Sequence, residues 1–95
     1  MDADRVMAVS EQGIHLLFDN ATIHEAYSQD PSRLERVILQ EGLHVQTVIE
    51  DLLSQPTAIE GRRYLEQLSP DVRSILVLVY FELLDGRLQA ARVVH

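Results

Sequence analysis

SPDVRSILVLVYFELLDG, residues 69–86, is the stretch whose reading decides the fold. Ser69 can accept from the first-turn N–H groups of a helix. Pro70 suits the first helical position because its missing N–H would be unpaired there anyway. Asp71 adds negative charge at the positive end of the helix dipole. Asp85-Gly86 reads as the stop, Gly86 being free to take the left-handed conformation that closes a helix. A strand competes over 75–81, which is rich in β-branched and aromatic residues, and a short apolar run does not by itself separate the two. The Ser-Pro start and Asp-Gly stop favour helix.

This helix carries two apolar stripes. Val72, Ile75, Leu76, Val79 and Leu83 form one at helical spacing, and Val77, Phe81 and Leu84 fall largely on the other side. A helix apolar on nearly all sides is buried on nearly all sides. One face packs into the chain's own core. The other is expected to meet a second copy, because large exposed apolar patches mark interfaces. The competing reading wraps both faces in the chain's own helices.

Composition narrows the function. The chain has 95 residues, enough for one domain, and a domain of this size gains from association because it buries a modest share of its surface. There is no Cys, so there is no disulfide framework, thiolate metal site or cysteine nucleophile. The net charge of −7 argues against nonspecific nucleic-acid binding, which needs a basic face, and against docking on anionic lipid. No apolar run approaches the roughly 20 residues of a membrane span. The start, MDADRVMAVSEQG, is acidic and lacks the basic start and apolar centre of a signal peptide, which points to the cytoplasm. Every basic residue is Arg, the usage of a GC-rich, bacterial genome.

Residues 2–18 fit an amphipathic helix, with Ala3, Val6, Met7, Ile14, Leu17 and Phe18 on one face; Gly13 opposes it at about 1 kcal/mol in a helix interior. A β-hairpin at 5–18, turning through 10–13, is the alternative. A short helix over 21–27 follows. After a turn at 28–31, capped by Asp30 or Ser32, comes the longest periodic stretch, 32–53. Its main stripe holds Leu34, Val37, Ile38, Val45, Val48, Ile49 and Leu52, while Leu39 and Leu43 form a smaller patch opposite. Gly42 marks a close crossing or a kink. Thr57, with Glu60 three residues on, reads as the capping box of another helix. Arg62-Arg63, flanked by Glu60 and Glu66, is expected to be an ion-paired surface. Residues 87–95 read as a frayed, weakly basic tail.

Little here suggests catalysis. Glu41-x-x-His44 would lie on one side of a continuous helix, as in carboxylate-bridged di-metal bundles, but one copy per chain needs a symmetric dimer and further carboxylates. Pairing of Glu41 with an Arg or His inside the fold is the simpler expectation. His15, His24, His44 and His95 show no tight metal spacing. No serine has nucleophile-elbow context, and no glycine loop is built to cradle phosphate. No enzyme activity and no cofactor are expected.

Leu68 to Glu82, LSPDVRSILVLVYFE, resembles the opening of the C-terminal helix-turn-helix region of bacterial sigma factors, where a Leu-Ser/Pro start leads an apolar helix ending in a Tyr-Phe-Glu-like sequence. In that family a basic, polar recognition helix follows the turn. Here Asp85-Gly86 is followed by only nine residues, so DNA binding is not carried over.

These readings converge on an all-α domain, a single bundle of four to five helices over 1–95. Its expected function is protein–protein interaction, as a cytoplasmic adaptor, regulator or chaperone-like subunit. Val77, Phe81 and Leu84 are the expected anchors of a homodimer, Leu39 and Leu43 a second patch, and an acidic rim would favour a basic partner. Two alternatives stay open: a transcription-associated module acting through Arg62, Arg63 and Arg73, and a metal-binding bundle centred on Glu41 and His44.

Overall fold

The computed structural model describes residues 1–41 and 44–93, the side chains of Glu41, Ala91, Arg92 and Val93 excepted. Six helices and no strand occur among the described residues: α1 (Ala3–Ser10), α2 (Asn20–Tyr27), α3 (Pro31–Glu41), α4 (Val45–Leu53), α5 (Ala58–Glu66) and α6 (Pro70–Val93). The all-α class holds, with six helices rather than four or five.

Short polar side chains start most of these helices. Asp2 accepts from the Arg5 N–H at 3.2 Å, Asp19 from Thr22 at 2.7 Å and Asp30 from Ser32 at 3.0 Å. Thr57 Oγ1 accepts from the Glu60 N–H and Ser69 Oγ from the Val72 N–H, both at 3.3 Å. Each such bond satisfies a first-turn donor that has no partner within the helix.

α6 is the spine. At 1.5 Å per residue its 24 residues reach about 36 Å. Val77, at 0% exposure, is the most deeply buried large side chain, and Leu76, Tyr80, Ile75 and Leu84 are also buried. α2 makes the most extensive helix–helix contact, against α6, and α3 also packs on it. The core is completed by Val6 of α1, Leu17 and Phe18 of the following segment, Leu52 of α4 and Leu65 of α5.

Three boundaries differ from the expectation. α6 does not stop at Asp85-Gly86: Gly86 stays helical, and the helix runs through most of the expected tail to Val93. A glycine permits a stop but does not impose one. The long helix over 2–18 ends at Ser10, and the hairpin at 5–18 does not form. The Gly13 N–H donates to Ser10 O at 2.9 Å and the Ile14 N–H to Val9 O at 3.1 Å, the paired bonds that close a helix before a left-handed residue. Gly13, at φ +86°, supplies that residue. The segment 14–18 then crosses the core without regular structure. Finally, 32–53 is two helices, α3 and α4. His44 stands at the start of α4, and Gly42 lies outside the described residues.

Long-range polar contacts hold these pieces in place. Arg33 grips Asp71 with both terminal nitrogens, at 2.8 and 3.1 Å, tying α3 to the start of α6. Arg62 of α5 donates to the backbone carbonyl of Leu16 and, at 3.5 Å, to that of His15, pinning the 14–18 segment. The Met1 ammonium donates to the carbonyls of Leu53 at 3.2 Å and Gln55 at 2.6 Å, where α4 ends and positive charge is favoured.

Candidate functional site: an apolar cleft on α6

Between α1, α4 and α6 lies a cleft with a cavity of about 120 Å³. α1 supplies Ala3, Val6 and Met7, and α4 supplies Ile49, Leu52 and Leu53. Its floor is the Leu76, Val79, Tyr80 and Leu83 face of α6, closed on one side by Leu17 and Phe18. These positions recur every three or four residues, so each helix turns one continuous apolar stripe inward. Leu83 is 57% exposed at the mouth.

Acids predominate next in sequence to this apolar floor. Asp2 at the N-cap of α1, Asp4 on α1, Glu50 on α4 and Glu82 on α6 are exposed neighbours of lining residues, beside the exposed base Arg5. Arg87, one turn beyond Leu83, pairs with Glu11 at 3.1 Å and with Asp4 at 3.6 Å. Asp4 is almost wholly in water, so its pairing is weak.

Beside the cleft is a buried polar chain. Ser10 Oγ donates to Val6 O at 2.7 Å, which uses the only hydroxyl hydrogen of Ser10. Ser10 therefore accepts from Tyr80 Oη, and Tyr80 in turn accepts from His15 Nδ1 at 2.6 Å. That assignment puts the hydrogen of His15 on Nδ1. Burial raises the Tyr80 phenol above its ordinary value, opposed by the Ser10 hydrogen bond. Among the described residues no base accepts from Ser10, whose proton is committed to a backbone carbonyl. The chain is a structural tie between α1, the crossing segment and α6 rather than an activated nucleophile.

The residues expected to matter fall in different places. Val77 and Leu84, two of the expected dimer anchors, are buried in the chain's own core, so they are no surface in the folded monomer. Phe81 is half-buried in an aromatic cluster, its ring 5.1 Å from His15, 4.9 Å from Tyr80 and 5.8 Å from Tyr27. Leu39 is 81% exposed near the end of α3, and Leu43 lies outside the described residues. Glu41 ends α3 while His44 precedes α4, so the same-helix geometry behind the metal reading is absent. Among the described residues no group of three or more His, Asp or Glu is arranged to hold a metal ion.

The arginines do not share one surface. Arg62 and Arg73 line a small polar pocket with Asp19, Thr22 and Glu66, whose carboxylates balance them, while Arg63 lines another with Glu60. Hydrogen bonds from Thr22 hold the Asp19 carboxyl below its ordinary value, and Arg62 and Arg73 add to that effect. The expected ion-paired surface at Arg62-Arg63 is thus replaced, for Arg62, by hydrogen bonds to backbone carbonyls. Among the described residues no helix is long and apolar enough to cross a membrane.

Comparison of the chain with protein-family models, with curated proteins and with solved structures finds no match.

The cleft was legible only in part. The stripe of Val72, Ile75, Leu76, Val79 and Leu83 is visible as a helix face, and Ala3, Val6 and Met7 share another. Nothing in their spacing says that the two faces meet while leaving a gap. The Arg87 pairs with Asp4 and Glu11 carry no local signal, since the partners lie far apart in the chain.

Proposed function

We propose that this chain is a protein–protein interaction module, and that the cleft between α1, α4 and α6 docks an amphipathic helix of a basic partner protein. The observation that carries this reading is an open apolar floor built from three helices, whose exposed sequence neighbours are mostly acidic, in a chain of net charge −7. Helix-in-groove recognition uses such a floor, with anchors at helical spacing. The surrounding charge favours a cationic occupant and disfavours a second copy of this acidic chain. The face expected to carry a homodimer is turned into the fold: Val77 and Leu84 are buried, and the Phe81 ring meets Tyr27 of α2.

The test uses two designed 18-residue helical peptides with identical leucine stripes, one with lysines and arginines on its polar face and the other with glutamates. Fluorescence anisotropy should show the basic peptide binding, more weakly as salt rises, and the acidic one not binding. Leu83→Asp should abolish binding while leaving thermal unfolding nearly unchanged, because Leu83 is more than half exposed. Leu39→Asp, on α3 outside the cleft, should leave binding intact. Failure of the basic peptide to bind, or binding indifferent to Leu83→Asp, would overturn the reading. So would a dimer, seen by light scattering on dilution, that Leu83→Asp dissociates, since a second copy would then be the occupant.

A further inference from the structure

The chain already holds one cation at the rim of its own cleft, and that cation indicates what a partner brings. Resting on the docking role above, we infer that the cleft reads a two-part motif: one large apolar anchor, and an arginine or lysine about one helical turn away that takes the place of Arg87 between Asp4 and Glu11.

Cavity size sets the anchor. Its volume of about 120 Å³ is close to the roughly 150 Å³ of an apolar protein cavity that takes up benzene. One leucine or phenylalanine side chain therefore matches it, and a tryptophan overfills it. The spacing follows from α6. Arg87 lies four residues beyond Leu83 on that helix. Along α6, apolar floor and charge are thus separated by about 6 Å, the rise of four helical residues. A docked helix meets both with residues three or four apart, the spacing that puts two side chains on one face.

The Arg87 contacts are of the kind a ligand can displace. The guanidinium is more than a third exposed, and its two carboxylates are separate rather than a bidentate fork. Exposed pairs of this sort are weak and salt-screened. While in place, Arg87 partly neutralises Asp4 and Glu11 and lies in line with Leu83, so it acts as an internal competitor for the partner's cation.

The experiment compares two 18-residue peptides that differ at one position: both carry the leucine anchor, and the residue four positions on is arginine in one and glutamine in the other. Each is titrated against wild type, Arg87→Gln and the double variant Asp4→Asn/Glu11→Gln. The reading is the ratio of the two affinities. Wild type should prefer the arginine peptide. Arg87→Gln should widen that preference by about two- to five-fold, the scale of one exposed ion pair, and the double variant should erase it. If Arg87 only braces α1, Arg87→Gln shifts both peptides by the same factor, the ratio stays fixed and the competitor role falls. Equal binding of both peptides to wild type leaves the docking site standing and refutes the cation motif. Failure of both to bind any variant refutes the docking site itself.

Discussion

Val77→Ala separates a core residue from an interface anchor. In the fold, Val77 is fully enclosed by the chain's own side chains. The substitution removes two methyl groups, worth about 1.6 kcal/mol of transfer free energy at roughly 0.8 kcal/mol each. The vacated space adds a cavity cost of about 1 kcal/mol, since a helix spine buried in the core cannot collapse freely around it. The expected loss is therefore about 2.5 kcal/mol. For a domain of this size, that lowers the thermal midpoint by roughly 10–20 °C. Urea and thermal unfolding followed by circular dichroism measure both quantities, and the urea slope should stay unchanged. The midpoint should also be independent of protein concentration, because the lost contacts are intramolecular. A loss under about 0.5 kcal/mol would refute the argument. So would a concentration-dependent midpoint accompanied by a fall in solution mass, which would return Val77 to a dimer interface.

Two glycines and one ion pair provide further checks. Gly86→Ala should stabilise the protein by roughly 0.8–1 kcal/mol in urea, because Gly86 is inside α6 and an added Cβ meets nothing within 4 Å. Gly13→Ala should destabilise by about 1 kcal/mol or more although its Cβ also meets open space, because φ +86° is strained for any side chain; equal effects at the two sites would contradict the assigned backbone. The hydrogen bonds from Arg33 hold the Asp71 carboxyl below its ordinary value. The unfolded chain thus takes up a proton there at higher pH than the folded one. This contribution is complete above the ordinary aspartate range, near pH 4, and is lost as pH falls through the lowered folded value. Urea midpoints between pH 2 and 6 should show a shallower acid decline in Asp71→Asn, and an unchanged decline would exclude the pair as a source of it. Asp19 shifts in the same direction, so part of the decline remains.

Local chemistry made much of the secondary structure readable. Ser69, Thr57 and Asp30 sit where a side-chain oxygen has to meet a free N–H, and each does so. Glycines were less informative, because their flexibility is permissive. Gly13 ends α1 where an interior position was expected, and Gly86 lies within α6 where an end was expected. In both cases the tertiary partners decided. Tyr80 draws Ser10 and His15 together on either side of the Gly13 turn, while Arg87, just past Gly86, is held by α1. Neither constraint is local in sequence, so neither could be read from the spacing of apolar residues.

The same non-locality explains the exchange of roles between the two faces of α6. Both are apolar enough to be buried, and periodicity can count faces but cannot say which neighbour covers each. α2 is short, yet it packs along α6, with Tyr27 against the Phe81 ring. α1, on the other side, stops after eight residues because Gly13 turns the chain. An α1 continuing through Phe18 would have spent Leu17 and Phe18 on its own helical face and extended alongside its neighbours. Instead these two residues enter the core from an irregular segment. On the proposed docking role, a helix supplied by a partner fills the opening at Leu83 without altering the fold.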